Sequence, residues 1–326
     1  MALLEVRDLH TAFTTPAGTV NAVNGVSFFL ERGKVLGIVG ESGSGKSVTA
    51  YSIMQILEKN GQIVGGSVKV DGQELVGAGE KVMKTVRGNK ISIIFQDPMT
   101  SLNPTYTIGH QLVEAILLHT NRNRKQAWDR AVEMLQLVNV NEPLKRMKQY
   151  PFELSGGMRQ RVMIAMALAC EPDTLIADEP TTALDVTIQA QILELMQSLQ
   201  KELGMAILFI THDLGTVAKM CDRVAVMYLG KIVETGPARD IYKNPQHPYT
   251  RGLMGSVHKI GTLKQDRLFS IEGTVPLALN LQPGCGFYDR CDARIEGLCD
   301  KVTPTLTPCD GQHCVACHRC QRKEEA

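Results

Sequence analysis

The sequence holds no apolar run long enough to cross a bilayer. Its longest, Val162 to Cys170, is about half of the roughly 20 residues that a spanning helix needs, so any membrane contact is expected to run through a partner protein. Net charge is also lacking. The 35 basic and 34 acidic residues leave +1, which excludes a global field able to hold nucleic acid or anionic lipid. Met1 to Leu9 alternates apolar and charged residues like a strand, without the basic start and long apolar stretch of a signal peptide, and the expectation is a cytosolic chain. No internal repeat is visible. Cysteine is sparse over most of the chain, where Cys170 and Cys221 stand alone, yet seven of the nine fall between Cys285 and Cys320. In a reducing compartment, clustered thiols are metal ligands or redox centres more often than disulfides.

What is present is enough for a full core: 326 residues, 44% of them hydrophobic, allow one large domain and a smaller appendage. Strand-like runs at Val35 to Val39, Ile91 to Phe95, Thr174 to Ala177, Met205 to Ile210 and Val224 to Tyr228 alternate with segments of helical period, the pattern of a largely parallel α/β sheet. Leu3 to Phe13 and Ala22 to Leu30 flank the turn-prone Thr15-Pro16-Ala17-Gly18 and predict antiparallel strands at one edge. Ile108 to Leu137 has no comparable strand, and Ile108, Leu112, Ala115, Ile116 and Leu118 recur at helical spacing. The expected organisation is a main domain over 1–250 with an inserted helical subdomain at about 98–165. An accessory region over 251–326 follows, carrying a cysteine lobe at about 283–326.

Gly40-Glu41-Ser42-Gly43-Ser44-Gly45-Lys46-Ser47 follows the first of these strands and opens a helix at Val48. That context makes it a phosphate-binding P-loop. Gly40, Ser42, Gly43 and Gly45 belong to a turn whose backbone N–H groups face phosphate oxygens, and the helix N-terminus adds a favourable dipole. Lys46 neutralises the β and γ phosphates, and the Ser47 hydroxyl is a Mg²⁺ ligand. A second apolar strand, Thr174-Leu175-Ile176-Ala177, delivers Asp178 and Glu179 at its C-terminal end, the edge where ligands bind in open α/β sheets. Asp178 is expected to hold Mg²⁺ and Glu179 to polarise the attacking water.

Leu154-Ser155-Gly156-Gly157-Met158-Arg159-Gln160 resembles the signature sequence of ABC ATPases. The resemblance implies the cassette fold: an α/β RecA-like core, an antiparallel β edge and an inserted helical subdomain. It also implies a paired mechanism, in which Ser155, Gly156 and Gly157 bind the γ-phosphate held by an opposite subunit. Further positions match the family. Gln96 resembles the Q-loop glutamine, a catalytic residue and Mg²⁺ ligand; Ala183-Leu184-Asp185 resembles the D-loop; His212 resembles the switch histidine that contacts γ-phosphate; and Phe13 stands where the family places an aromatic on adenine. ATP and Mg²⁺ are the cofactors so implied.

Phe95-Gln96-Asp97-Pro98-Met99-Thr100-Ser101-Leu102-Asn103-Pro104, Gln246-His247-Pro248-Tyr249-Thr250 and the tail from Gly284-Cys285 are similar to the oligopeptide, dipeptide and nickel importer branch. That similarity implies an importer ATPase at the cytoplasmic face of the inner membrane. Its partners would be a second, different ATPase subunit, two permease subunits and an extracytoplasmic binding protein, with no nucleic acid. Import of nickel or another small solute, and soluble ABC work on nucleic acid or iron–sulfur assembly, are the alternative readings. The branch's four recurrent cysteines map to Cys285, Cys291, Cys299 and Cys317, a set suited to a [4Fe–4S] cluster or to zinc. Cys309, Cys314 and Cys320 compete for the fourth position, and His313 and His318 keep a mixed zinc site open. Because the lobe follows the complete cassette, nucleotide binding is expected to survive Cys285→Ser while assembly or stability suffers.

Overall fold

The structure, a computed structural model, describes residues 2–182, 184–255, 271–279 and 282–321. Ala183 of the D-loop-like triplet and parts of the accessory region, 256–270, 280–281 and 322–326, lie outside the described residues. The chain forms two compact units that do not follow sequence order. One comprises Glu31–Lys34 and Gly77–Leu208; the other comprises Ala2–Leu30, Val35–Val76 and the chain from Phe209 onward.

The first unit carries two parallel strands, Ile91–Ile94 and Thr174–Asp178, in register from Ile91 opposite Thr174 to Ile94 opposite Ala177. Every residue of Thr174–Asp178 is buried, as expected for a parallel strand covered on both faces. The predicted helical segment is two helices, Ile108–His119 and Arg124–Leu137. Each starts at a side-chain cap: Thr107 accepts from His110 N–H, and Asn123 forms a reciprocal capping box with Gln126. Ile108, Leu112, Val113 and Ile116 face inward. Leu118, expected on that face, is 73% exposed beside the exposed Leu117; the buried stripe runs through Ile108, Leu112 and Ile116 and leaves Leu118 outside it. Val162 to Cys170 falls mostly in the helix Gly156–Leu168, whose apolar residues are buried nearly all round.

The second unit contains an antiparallel sheet in the order Gly18–Glu31, Ala2–Thr15, Gly61–Val70, Gln73–Glu74. The predicted turn joins its first two strands. The wholly buried Val35–Val39 pairs in parallel with Arg223–Tyr228. That strand turns back antiparallel into Lys231–Pro237 through Leu229 (φ 46°) and Gly230 (φ 76°), the two positive φ values of a tight hairpin. The cysteine-rich tail then adds two strands that the sequence does not announce: His313–Val315 pairs with Lys231–Pro237, and Thr307–Asp310 pairs with His313–Val315. Among the described residues no helix is long and apolar enough to cross a membrane.

The tail also shares a core with the cassette. Phe287 is 4% exposed and packs with Val39, Leu214, Val226, Tyr228 and Tyr249. Its ring meets that of Tyr228 edge to face at 5.2 Å and 83°, a favoured aromatic geometry.

Candidate nucleotide-binding site

In the second unit, the strand Val35–Val39 ends at Gly40 and the helix Lys46–Met54 begins after Gly45. Two glycines are required by close approach. A Cβ at Gly40 would lie 2.2 Å from Met227 O, and one at Gly45 (φ +103°) would lie 2.4 Å from Ala22 O. The loop is tied down by Gly230 N–H donating to Ser44 O at 2.9 Å and Ser44 N–H to Glu41 O at 3.2 Å. Lys46 is 4% exposed, and its ammonium donates to Gly40 O at 2.8 Å and Glu41 O at 3.0 Å. The helix start has no side-chain cap and no acidic residue in its first turn, so its amides and the Lys46 charge form an anion site that fits a nucleotide's phosphates.

Phe13 is half-buried. Its ring lies over Gly61 of the neighbouring strand, where a Cβ would come within 2.5 Å of Cε1. His212, exposed, follows the strand Ala206–Thr211. It is held between Thr211, whose Oγ1 accepts from Asp213 N–H at 3.1 Å, and Asp213, which caps the next helix by accepting from Gly215 N–H at 2.8 Å.

In the first unit, Asp178 is fully buried and Glu179 is 9% exposed. Glu179 is held at φ +46°, a left-handed conformation that costs a non-glycine residue roughly 1–3 kcal/mol and persists only where surrounding structure enforces it. Its Oε2 accepts from Thr182 Oγ1 at 2.9 Å and from Gln96 Nε2 at 3.3 Å. Gln96 and Glu179, 83 residues apart, are thus brought together as the resemblance implies.

The signature segment opens the helix Gly156–Leu168, with Ser155 Oγ accepting from Met158 N–H at 3.4 Å. Ser155 and Gly156 are exposed. A Cβ at Gly157 would meet Ile188 Cγ2 at 2.9 Å, whereas one at Gly156 would meet Leu184 at an ordinary 3.8 Å. Asp185 caps the helix Val186–Leu203, accepting from Ile188 N–H at 3.0 Å.

The expected ligand set Cys285, Cys291, Cys299 and Cys317 does not form a ready metal site: among the described residues, no group of three or more His, Cys, Asp or Glu is arranged to hold a metal ion. The four cysteines nonetheless line one small cavity with Phe287, His247 and His318. Burial first, and then the neighbouring Cys299, Cys291 and Cys317, push the Cys285 thiol up to about 11 against a backbone hydrogen bond at Phe287. Cys317 is shifted down by its hydrogen bond with Cys320, whose own thiol is shifted up by the same bond. Of the competing groups, Cys309 donates to His313 O, and His313 Nε2 is engaged at 2.7 Å with the buried Glu234.

Glu234 is a hub that sequence reasoning missed. Burial raises its carboxyl, but hydrogen bonds from His313, Gln246 N–H and His247 N–H outweigh it and hold the group below the usual carboxylate range. Burial also pushes His247 down to about 4, and its Nδ1 accepts from Tyr249 N–H at 3.0 Å. The backbone amides of Gln246 and His247 are thus held by Glu234. The contact between Glu41 of the phosphate loop and Arg290 of the tail, 249 residues apart, was equally invisible, since neither residue lies in a pattern that points to the other.

Comparison with known proteins agrees with this arrangement. Residues 23–182 match the ABC transporter family and residues 233–299 match the oligopeptide/dipeptide transporter C-terminal region. The chain is 51% identical over 326 residues to the dipeptide transport ATP-binding protein DppD of Bacillus subtilis, covering 99% of this chain and 97% of that one. It is 51% identical over 302 residues to the oligopeptide transport ATP-binding protein OppD of Salmonella typhimurium, covering 93% and 89%. Among solved structures it resembles a dimeric ATP-binding cassette in a post-hydrolysis state bound to ADP and Pi, with TM-score 0.65 and 26% identity over 72% of this chain and 99% of that one. It also resembles cbiO1 of Clostridium perfringens, part of the ABC transporter complex cbiONQ, with TM-score 0.63 and 27% identity over 74% and 91%. The phosphate loop, the paired carboxylates and the capped signature helix lie on the P-loop cassette fold with mixed α/β sheets, and the chain belongs to the oligopeptide/dipeptide ABC transporter family as an ATP-binding, ATP-hydrolysing subunit.

Proposed function

We propose that the chain powers peptide import by closing and reopening with a second, different ATPase subunit at the cytoplasmic face of the inner membrane. There it works beneath two permease subunits supplied by an extracytoplasmic binding protein. The observation that carries the hydrolytic role is the strained, buried Glu179 carboxylate bonded to Gln96 and Thr182. Glu179 orients and polarises the attacking water, Gln96 links that carboxylate to the segment that follows it, and His212 contacts the γ-phosphate. Lys46 and the amides of the Gly40–Ser47 loop bind the triphosphate, and Phe13 offers its ring to adenine. Mg²⁺ would be held by Ser47, Asp178 and Gln96 and would neutralise phosphate charge. The remainder is positioning and charge stabilisation.

Ser155, Gly156 and Gly157 are proposed to bind the γ-phosphate on the partner ATPase, with Asp185 at the same interface. The dimeric state of the similar solved cassette supports this pairing. Gly156→Asp tests it more cleanly than Gly157→Asp, which would press on Ile188. An aspartate in the first helical turn stabilises a helix by roughly 0.3–1 kcal/mol, so the fold should hold while the carboxylate repels the phosphate. In the assembled transporter, ATPase turnover at the partner's site should fall at least about tenfold. Unchanged turnover would rule out the composite site.

The permease's cytoplasmic helices are assigned to the surface after Gln96, through Asn103 and Thr107, where Met99 and Tyr106 are exposed. A groove of about 630 Å³ lined by Thr107, Val113, Leu117, Leu118 and Trp128 continues it. The cassette is proposed to span 1–250, with its helical subdomain at about 98–165, followed by an accessory region over 251–326.

The lobe at about 283–326 is proposed to bind a [4Fe–4S] cluster through Cys285, Cys291, Cys299 and Cys317. Their shared cavity supports this set, and Cys309, Cys314 and Cys320 do not line it. A cationic centre is also what would keep thiolates where burial and mutual repulsion raise Cys285. The cluster would crosslink the lobe's loops. Anaerobically purified protein should be brown and contain about four iron atoms per chain. Cys285→Ser and Cys317→Ser should bleach it and Cys314→Ser should not. A colourless protein with near-stoichiometric zinc would replace the cluster with a zinc site.

A further inference from the structure

The phosphate loop carries one acidic side chain, Glu41, and the tail holds it. The Arg290 guanidinium meets the Glu41 carboxylate as a two-pronged fork, Nη1 to Oε2 at 2.8 Å and Nη2 to Oε1 at 3.0 Å. Two further donors are fixed as well: Nε donates to Glu272 O at 2.8 Å and Nη2 to Gly273 O at 3.1 Å. The group lies 5.8 Å over the Tyr228 ring, and the Arg290 side chain is only 8% exposed. A second anchor reaches the same residue, because Glu41 N–H donates to the Tyr249 hydroxyl at 2.8 Å. Tyr249 is fully buried and packs on Tyr228 and Phe287.

These bonds bear directly on Lys46. Its ammonium is placed by Gly40 O and Glu41 O, so the residue that the tail clamps is also one that aims the lysine. Charge gives Arg290 a further task. An uncompensated carboxylate within the loop would repel a triphosphate, and a two-pronged arginine pair is the strong way to cancel it. We propose that Arg290 is a positioning residue of the nucleotide site: by fixing and neutralising Glu41 it sets the shape and charge of the phosphate loop, so that the C-terminal lobe controls the chain's affinity for ATP. The proposal rests on reading Gly40–Ser47 as the nucleotide cradle.

The test uses the complete transporter in lipid, with the partner's ATPase site disabled, and measures KM for ATP, kcat and the Kd for Mg²⁺-ATP. Loss of a charged hydrogen-bonded pair that is partly exposed predicts a rise in KM and Kd of about tenfold for Arg290→Gln, with kcat within about twofold. Arg290→Lys, which keeps the charge without the fork, should fall between wild type and Arg290→Gln. Adding Glu41→Gln to Arg290→Gln should recover part of the affinity, because it removes the stranded carboxylate. A residue that merely stabilised the lobe would show no such rescue. If Arg290→Gln does not assemble, Glu41→Gln alone carries the test, since it breaks the same pair without altering the tail, and it should raise KM. Wild-type KM in Arg290→Gln or in Glu41→Gln, or strictly additive effects in the double variant, would overturn the proposal. Lys46→Ala separates the two levels: unaltered binding there would reject the cradle itself, whereas lost binding there with wild-type KM in the other variants would reject only the role of Arg290.

Discussion

Glu179→Gln is expected to bind Mg²⁺-ATP at least as tightly as wild type and to lose turnover by about two to three orders of magnitude, the range for removing a general base. The amide keeps an oxygen that can accept the bonds from Thr182 Oγ1 and Gln96 Nε2, so the local fold and the strained backbone at φ +46° are retained. What is lost is the negative charge that polarises water. A buried carboxylate near a triphosphate also repels it, and its neutralisation favours the bound state. The variant should therefore accumulate an ATP-bound, paired form. Single-turnover hydrolysis with the partner's site disabled, together with size-exclusion chromatography in ATP, reads both effects. Hydrolysis at the wild-type rate would remove Glu179 from its assigned role, and a variant that neither binds nor hydrolyses would show that the substitution had damaged the fold.

The parts of this site that were legible in the sequence are those whose chemistry is local. Gly40 to Ser47 needs glycine where Met227 O and Ala22 O come within 2.4 Å of a would-be Cβ, so the spacing itself encodes the cradle. Ser155 and Asp185 announce helix starts because a cap binds an amide three residues on. Strands buried on both faces, such as Val35–Val39, appear as short apolar runs. Long-range pairs leave no such mark. Arg290 follows from nothing near it, and Glu41 carries no signal of its own until the tail is folded against it. Likewise Glu234 meets His313 only once the strand His313–Val315 has been added to the sheet beside Lys231–Pro237. Chain order gives no sign of the Arg290 and Phe287 contacts, which tie the tail to residues far before it. Phe287 likewise completes a core built mainly by residues before 250.

Lys46→Ala is expected to abolish tight nucleotide binding while leaving the fold standing. Lys46 is 4% exposed and its ammonium donates to the Gly40 and Glu41 carbonyls, so its deletion removes the cation at the phosphate cradle. Loop and helix keep their other ties: Thr49 N–H and Thr49 Oγ1 both donate to Gly45 O at 2.9 Å, and Gly230 N–H still reaches Ser44 O. Charge-assisted bonds of this kind contribute roughly 1.5–3 kcal/mol each, so the Kd for Mg²⁺-ATP should rise by about a hundredfold or more. Thermal unfolding makes the distinction between binding and folding visible. At a nucleotide concentration near 100 times the wild-type Kd, binding stabilises the native protein by about 2.7 kcal/mol, and a hundredfold weaker variant gains only about 0.4 kcal/mol under the same conditions. Lys46→Ala should therefore melt close to wild type without nucleotide and fail to shift when Mg²⁺-ATP is added. A full nucleotide-dependent shift in the variant would show that the phosphates are held elsewhere. A large loss of stability without nucleotide would mean that Lys46 is chiefly a brace for the loop carbonyls and not the cation that the phosphates require.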